Sequence, residues 1–523
     1  MAHFPTRFPP SASRFPPLLL ALLAATATAT VWAANTAAPA GSATTSTTTV
    51  QLGAPKAGAM KPAGTPETDA LVKAADELRK KGDYPGALKK VTEALKKLPT
   101  HPQGLLLAGT LEGSMGKLDE ALDHLKRAVA QMPDNLFARK VYASALLQKG
   151  NTALALETLE PALKAVPVDP QAQTIAAQIS AMGADLEGAH RYLDKALKAD
   201  PNYAPAHQLS ARVAFAQKRP DEARTQLLAL VKLQPDDTDA LLALASLDAS
   251  SGKLQEAAGW LEKARKAKPS APEPLIASAG LALREGHADE AASYLPKLEA
   301  LLPGKPIVLA LKGQLALLQG HPKDALAPLE AAFKQQPGPE IFVQLHQALL
   351  GSGQTADADK RMNAWLEAHG DDLRMRFYDA ETLARRQEFA PAAAQYRKIL
   401  EKDPNNAVAL NDLAQSLQAL KDPKAVEVAE QAYKLKPDSP AAENTLGAIL
   451  MTTGKQERGL GLLKDAAAHA PQNPEVRFDY ARGLASTGDK VRARSELEAL
   501  LALKRPFQNE AAARDMLKSL SGS

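Results

Sequence analysis

Residues 238–271, TDALLALASLDASSGKLQEAAGWLEKARKAKPSA, and residues 272–305, PEPLIASAGLALREGHADEAASYLPKLEALLPGK, decide the fold when set one above the other. Ala245 then stands over Ala279, Gly252 over Gly286, Ala257 over Ala291 and Pro269 over Pro303, so one 34-residue unit is written twice. The same ladder runs outward in both directions. Prolines recur at Pro99, Pro133, Pro167, Pro201, Pro235, Pro269, Pro303 and Pro337, and resume at Pro404, Pro437 and Pro471. Twelve residues before every one of them but Pro471 stands an alanine: Ala87, Ala121, Ala155, Ala189, Ala223, Ala257, Ala291, Ala325, Ala392 and Ala425. Twenty-four residues before every one of them but Pro437 stands a small residue: Ala75, Gly109, Ala143, Ala177, Ala211, Ala245, Ala279, Gly313, Ala380 and Gly447.

Between the two small columns Gly82, Gly116, Gly150, Gly252, Gly286, Gly320 and Gly454 fall in one phase, where a helix can end on a residue that accepts positive φ. The pattern predicts a helical hairpin per unit. One amphipathic helix runs to the glycine, a second runs on toward the proline, and the small columns mark close approach of their backbones. The proline ends the second helix or begins the next unit, because it has no N–H to give a helix interior. Period, small columns, glycine and proline resemble the tetratricopeptide repeat. That resemblance implies an all-α right-handed superhelix, a solenoid of about thirteen hairpins over residues 68–508.

The units divide the chain as follows: repeats 1 to 8 over 68–339, an irregular repeat 9 over 340–372, repeats 10 to 13 over 373–508, and a capping helix and tail over 509–523. Repeat 9 has Gly370 and Asp371 where proline is expected and Trp365 in its second helix, so it reads either as a bend or as a degenerate repeat that stacks normally.

Ahead of the repeats, Arg7 and Arg14 precede the apolar run Leu18–Ala33, which predicts a signal peptide over 1–33 with cleavage before Ala34. The rival reading is an uncleaved inner-membrane anchor, but the run has 16 residues, three of them Thr, against the ~20 that span a bilayer. Residues 34–67 are Ala, Thr, Gly, Ser and Pro with no charge before Lys56, a composition expected to form a disordered linker. The chain is therefore expected in the periplasm, with membrane contact only through an uncleaved amino terminus.

Composition removes several classes of function. Lys and Arg number 63 and Asp and Glu 59, interspersed, so nothing marks nucleic acid as a partner. The absence of cysteine removes disulfides, thiolate metal sites, cysteine nucleophiles and a lipidated cysteine. Zinc-protease, dinucleotide and phosphate-loop motifs are missing too. The Gly-Lys pairs at Gly116, Gly252 and Gly454 fall in the inter-helix turn of their repeats. His287 and His321 occupy equivalent turns of adjacent repeats, with no third ligand at a useful spacing, and read as solvated side chains rather than a metal site. No catalytic residue and no cofactor is expected.

The tetratricopeptide resemblance implies that repeat positions 2, 5, 9, 12 and 13 of each first helix face a concave groove that binds protein or peptide segments. Repeats 6 to 8 then present Leu242, Ile276, Leu283, Ile307, Ala310, Leu317 and Leu318, an apolar stripe that suits an amphipathic or apolar peptide and equally suits core packing. Repeats 10 to 13 present Phe377, Asn411, Asn444 and Phe478 at position 5 with Glu381, Gln415 and Arg482 at position 9. Asn and Gln amides carry a donor and an acceptor each, so such a ladder can pair with an extended peptide backbone.

The segments AWLEAHGDD (364–372), AAQYRKILEKDPNNAVALNDLA (393–414) and NTLGAILMTTGK (444–455) are similar to repeats of the tetratricopeptide proteins of the PEP-CTERM and exosortase system, though the lipidated cysteine typical of that group is missing. This likeness implies a scaffold in exopolysaccharide production or export, or in exosortase-linked sorting. A general adaptor in envelope biogenesis and a glycan-acting enzyme are the alternatives.

Overall fold

A computed structural model describes residues 64–521. The expected signal peptide and most of the expected linker lie outside the described residues. Those residues form 27 helices and no strand, and they divide into two compact units at the turn between Gln319 and Gly320. The first unit holds α1 (Pro66–Lys80), α2 (Tyr84–Lys97), α3 (Pro102–Ser114), α4 (Leu118–Gln131), α5 (Leu136–Gln148), α6 (Thr152–Leu163), α7 (Pro170–Met182), α8 (Leu186–Ala199), α9 (Ala204–Ala216), α10 (Pro220–Leu233), α11 (Thr238–Ser250), α12 (Leu254–Ala267), α13 (Pro272–Glu285), α14 (Ala288–Leu301) and α15 (Pro306–Leu318).

The second unit holds α16 (Pro322–Gln335), α17 (Pro339–Gly351), α18 (Thr355–Ala368), α19 (Leu373–Arg385), α20 (Phe389–Lys402), α21 (Ala407–Ala419), α22 (Lys424–Leu435), α23 (Pro440–Thr452), α24 (Gln456–His469), α25 (Pro474–Ser486), α26 (Lys490–Ala502) and α27 (Glu510–Ser521). Within each unit the helices pack in chain order on their nearest neighbours, the arrangement of a solenoid.

Each sequence column has one mechanical task. The alanine column from Ala87 to Ala257 is entirely buried, because each methyl lies where the two helices of its hairpin touch. In the hairpin of α23 and α24 the approach is closer still: a Cβ on Gly459 would sit 2.9 Å from the carbonyl oxygen of Gly447. The ladder prolines end the second helix, as Pro269 does two residues beyond Ala267. The turn glycines adopt the left-handed conformation, with φ of 78° at Gly252 and 79° at Gly286. Where the turn position holds another residue, that residue takes the same conformation: Ala184, Lys218, Gln387 and Lys421 have φ between 58° and 66°.

Repeat 9 is regular once its start is placed by structure. Helix α17 begins at Pro339, and Gly338 caps it in extended conformation, so the missing residue lies in the loop before the repeat. Counted from Pro339, Gly353 takes the turn position with φ of 85° and Ala358 takes the alanine column, fully buried. One departure remains. His346 stands in the first small-residue column, where other repeats carry Ala or Gly, and rings gather around it: Phe342 at 6.2 Å and Tyr378 at 5.4 Å between centroids. Trp365 stacks on Phe342 at 4.7 Å and on His369 at 4.4 Å.

Candidate binding row of the second unit

The first helices of the last four hairpins are α19, α21, α23 and α25, and local chemistry fixes where three of them start. Asp372, Asn406 and Asn473 occupy the N-cap and accept from the N–H groups of Met375, Ala409 and Val476 at 3.0, 3.0 and 3.4 Å. A fixed start fixes the helix phase, so positions 5, 6 and 9 of successive repeats fall on one face.

On that face the polar side chains pair along and across the repeats. Asn411 Nδ2 donates to Asp412 Oδ1 at 3.0 Å. Gln415 Nε2 donates to Thr445 Oγ1 at 2.9 Å, joining α21 to α23. Asn444 Nδ2 donates to Asp479 Oδ2 at 2.8 Å, joining α23 to α25. Arg482 reaches Asp479 Oδ1 at 3.3 Å, with its guanidinium 5.6 Å from the centre of the Phe478 ring.

The two asparagines cannot turn over, because an amide flip would set oxygen against carboxylate oxygen. Their Oδ1 atoms are thereby committed outward from the pairs, and both are shielded from solvent and accept no hydrogen bond. A buried acceptor left unmet costs roughly 1–3 kcal/mol, a debt that a donor from outside the chain would cancel.

The remaining residues singled out by sequence have other surroundings. Phe377 is half-buried, its ring edge-on to Tyr396 at 6.2 Å, and Glu381 is half-buried on the same helix. Phe478 is 3% exposed and packs with Phe507 under α27. Leu242, Ile276 and Ile307 belong to the first unit, the first two buried in hairpin cores and Ile307 half-buried against the core around Leu311. Leu283 and Ala310 are buried as well, Leu317 is half-buried, and Leu318 is exposed. The row also includes Asp412, Thr445 and Asp479, which are outside the positions the repeat pattern assigns to a groove. All three stand at position 6, one residue after the predicted groove position 5.

A second cluster lies between α17, α18 and α19. His346 is 1% exposed, and its Nδ1 lies 2.9 Å from the Tyr378 hydroxyl. Burial pulls the imidazole down to about 4, so the ring is neutral at ordinary pH. Burial, and then the nearby Asp359 carboxylate, push Asp379 up to about 6. Asp359 itself is held below the usual carboxylate range by Arg386, which grips it through two bonds of 2.6 and 2.8 Å. Burial drives the Tyr378 phenol upward.

Among the described residues no three His, Asp or Glu side chains are placed to hold a metal ion, and no helix is long and apolar enough to cross a membrane. An open notch of about 550 Å³ near Pro471 has its two titratable side chains already engaged: Arg505 donates to the Gln472 carbonyl at 3.1 Å, and His469 holds Glu443 at 2.9 Å.

Comparison with known proteins agrees with the hairpin architecture. Family models described as tetratricopeptide repeat match residues 72–135, 114–179, 183–247 and 344–407. Cellulose synthase operon protein C of Komagataeibacter sucrofermentans is 33% identical over 121 residues, which is 22% of this chain and 9% of that protein. A TPR repeat-containing protein of Pseudomonas aeruginosa is 26% identical over 151 residues, 28% of this chain and 25% of its own length. The chain thus spans a quarter or less of either relative. Among solved structures, yeast Tom70 is 17% identical with a TM-score of 0.43, covering 84% of this chain and 98% of that one.

Proposed function

We propose that this chain, a tetratricopeptide-repeat protein, is a non-enzymatic scaffold that binds extended segments of partner proteins in the cell envelope. The observation that carries this reading is the polar row from Asn411 to Arg482. It ties three first helices together through side chains and leaves two amide oxygens without donors. A row of this kind offers hydrogen bonds to a polypeptide at the spacing of successive repeats, and it contains no nucleophile or general base poised over a closed pocket.

The setting we propose is the periplasm of a Gram-negative bacterium, in exopolysaccharide production and export or in exosortase-linked sorting. Two things support it: the 33% identity with a cellulose synthase operon protein over 121 residues, and the leader-like run Leu18–Ala33. Crosslinking and mass spectrometry in the native cell test the reading directly. Polysaccharide-export or sorting proteins should be recovered with the wild type and lost with Asn411→Ala/Asn444→Ala. Recovery unchanged by that pair removes the row from the site, and amino-terminal sequencing of a mature chain that still begins at Met1 removes the cleaved leader.

A further inference from the structure

Position 8 of a first helix lies where the two helices of its hairpin approach, and in α19, α21, α23 and α25 it holds Ala380, Ala414, Gly447 and Ala481. In α17 it holds His346, which is buried all the same. An imidazole needs more room than a methyl group or a hydrogen. Less of the α18 backbone accordingly comes close to α17 and α19 than α20, α22, α24 or α26 brings to its own neighbours. Rings occupy the space: Phe342 of α17, Trp365 of α18 and Phe333 of α16. Polar ties hold α18 as well. Asp359 is joined to Arg386 by two bonds, Arg361 to Glu330 of α16 at 3.0 Å, and Trp365 Nε1 to Asp372 Oδ2 at 3.3 Å.

His346 is itself only half answered. Its Nδ1 lies 2.9 Å from the Tyr378 hydroxyl of α19, while Nε2 is buried and has no hydrogen-bond partner. The charges that act on the ring are Asp359 of α18, already gripped by Arg386, and Arg385 and Arg386 at the end of α19. From α16, Glu330 is taken by Arg361. A proton on this imidazole would place a positive charge and an unanswered N–H inside the hairpin, opposed by two guanidinium groups and favoured by one engaged carboxylate. Departure of α18 lets water reach the ring. The folded ring takes its proton at about 4 and an unfolded histidine near ~6.5, so the stability this burial contributes is present above that range and lost as pH falls through it.

Asp379, the other strongly shifted group of this region, belongs to a different contact. It is 5% exposed and bonds to Gln395 of α20, which Arg376 also holds at 3.0 Å. Those partners stay in place when α18 leaves. The proton Asp379 gains on acidification therefore supports the packing of α19 on α20 and leaves the docking of α18 to His346. We infer that α18 is an acid-released strap: protonation of His346 detaches it from α17 and α19, while the helices from α19 to α27 stay folded. Global stability feels both protons, and in opposite senses; the strap feels one. The device does not depend on what the row from Asn411 to Arg482 binds.

The test is native-state hydrogen exchange on the whole chain at about pH 7 and about pH 4.5, with rates corrected for the pH dependence of exchange chemistry itself. Protection of the α18 amides should fall about tenfold or more between the two, and that of α20, α22 and α24 should hold. In His346→Gln, shown to be folded by circular dichroism, the loss in α18 should disappear. His346→Leu is the second neutral replacement should the first misfold. An α18 as well protected at the lower pH as at the higher overturns the inference. Equal loss in all four helices overturns it too, since that is opening of the whole unit, and so does a loss in α18 that survives replacement of His346.

Discussion

Gln387 has φ of 66° at the turn where most other repeats place glycine, and a Cβ there costs about 1–2 kcal/mol in the left-handed region. Part of that strain is offset because glycine has more freedom to lose on folding. Gln387→Gly and Lys218→Gly should therefore stabilise the protein by ~0.5–1 kcal/mol each, and Gly286→Ala should destabilise it by about 1 kcal/mol. Guanidinium unfolding measures all three. The second residue-scale prediction concerns protons. Asp379 keeps its proton to about 6 in the folded chain, whereas an unfolded aspartate loses it near ~3.9, so its contribution to stability falls as pH rises through that window. His346 works the other way. Unfolded histidine takes a proton near ~6.5 but the buried ring only near 4, so stability is lost as pH falls through the same range. Each amounts to a few kcal/mol, and in the wild type they oppose. In His346→Gln the melting temperature should rise between pH 6.5 and 4.5; in Asp379→Asn it should fall over that interval.

At the scale of the element, α27 shows how an array ends. Glu475, 8% exposed, accepts from the Gln508 N–H at 2.7 Å and from Asn509 Nδ2 at 2.6 Å, which pins the start of α27 to α25. The helix then lays Ala513, Met516 and Leu517 over Phe478 and Leu497. Glu475→Ala leaves two donors unmet, at a cost of roughly 1–3 kcal/mol, and hydrogen exchange should quicken in α27 far more than in α23. Hairpin geometry was legible beforehand because it depends on residues of extreme character: alanine where helices touch, glycine at positive φ, proline after the second helix. The binding row was legible only in part. Asn444 follows from its repeat position, but its partner Asp479 lies on the next first helix, 35 residues on, and the side-chain conformation that joins them leaves no periodic trace. His346 was hidden by the phase slip before α17, which moved it out of the column where its size would have been conspicuous.

For the whole molecule the governing fact is that each core is local. The cluster around Leu227 and Leu230 draws on α9 to α11 and a single side chain of α12, Trp260, and only Val231 and Trp260 also pack against the next cluster, which reaches α13. Leu227→Ala, at a side chain with no exposure, should cost about 2–5 kcal/mol. That loss should appear as faster hydrogen exchange in α9 to α12, with amides of α21 and α23 unchanged, whereas uniform acceleration would mean one cooperative block. Locality also explains the single-residue gap at Gln336–Gly338. A residue removed from inside a helix rotates every following side chain by about 100° about the axis and would carry position 5 away from its row. Removed from the loop, it changes nothing downstream, because α17 takes its phase from its own cap and its own alanine. The array is thus error-correcting: each hairpin resets the register, and a length change in a connecting loop is forgotten within one repeat.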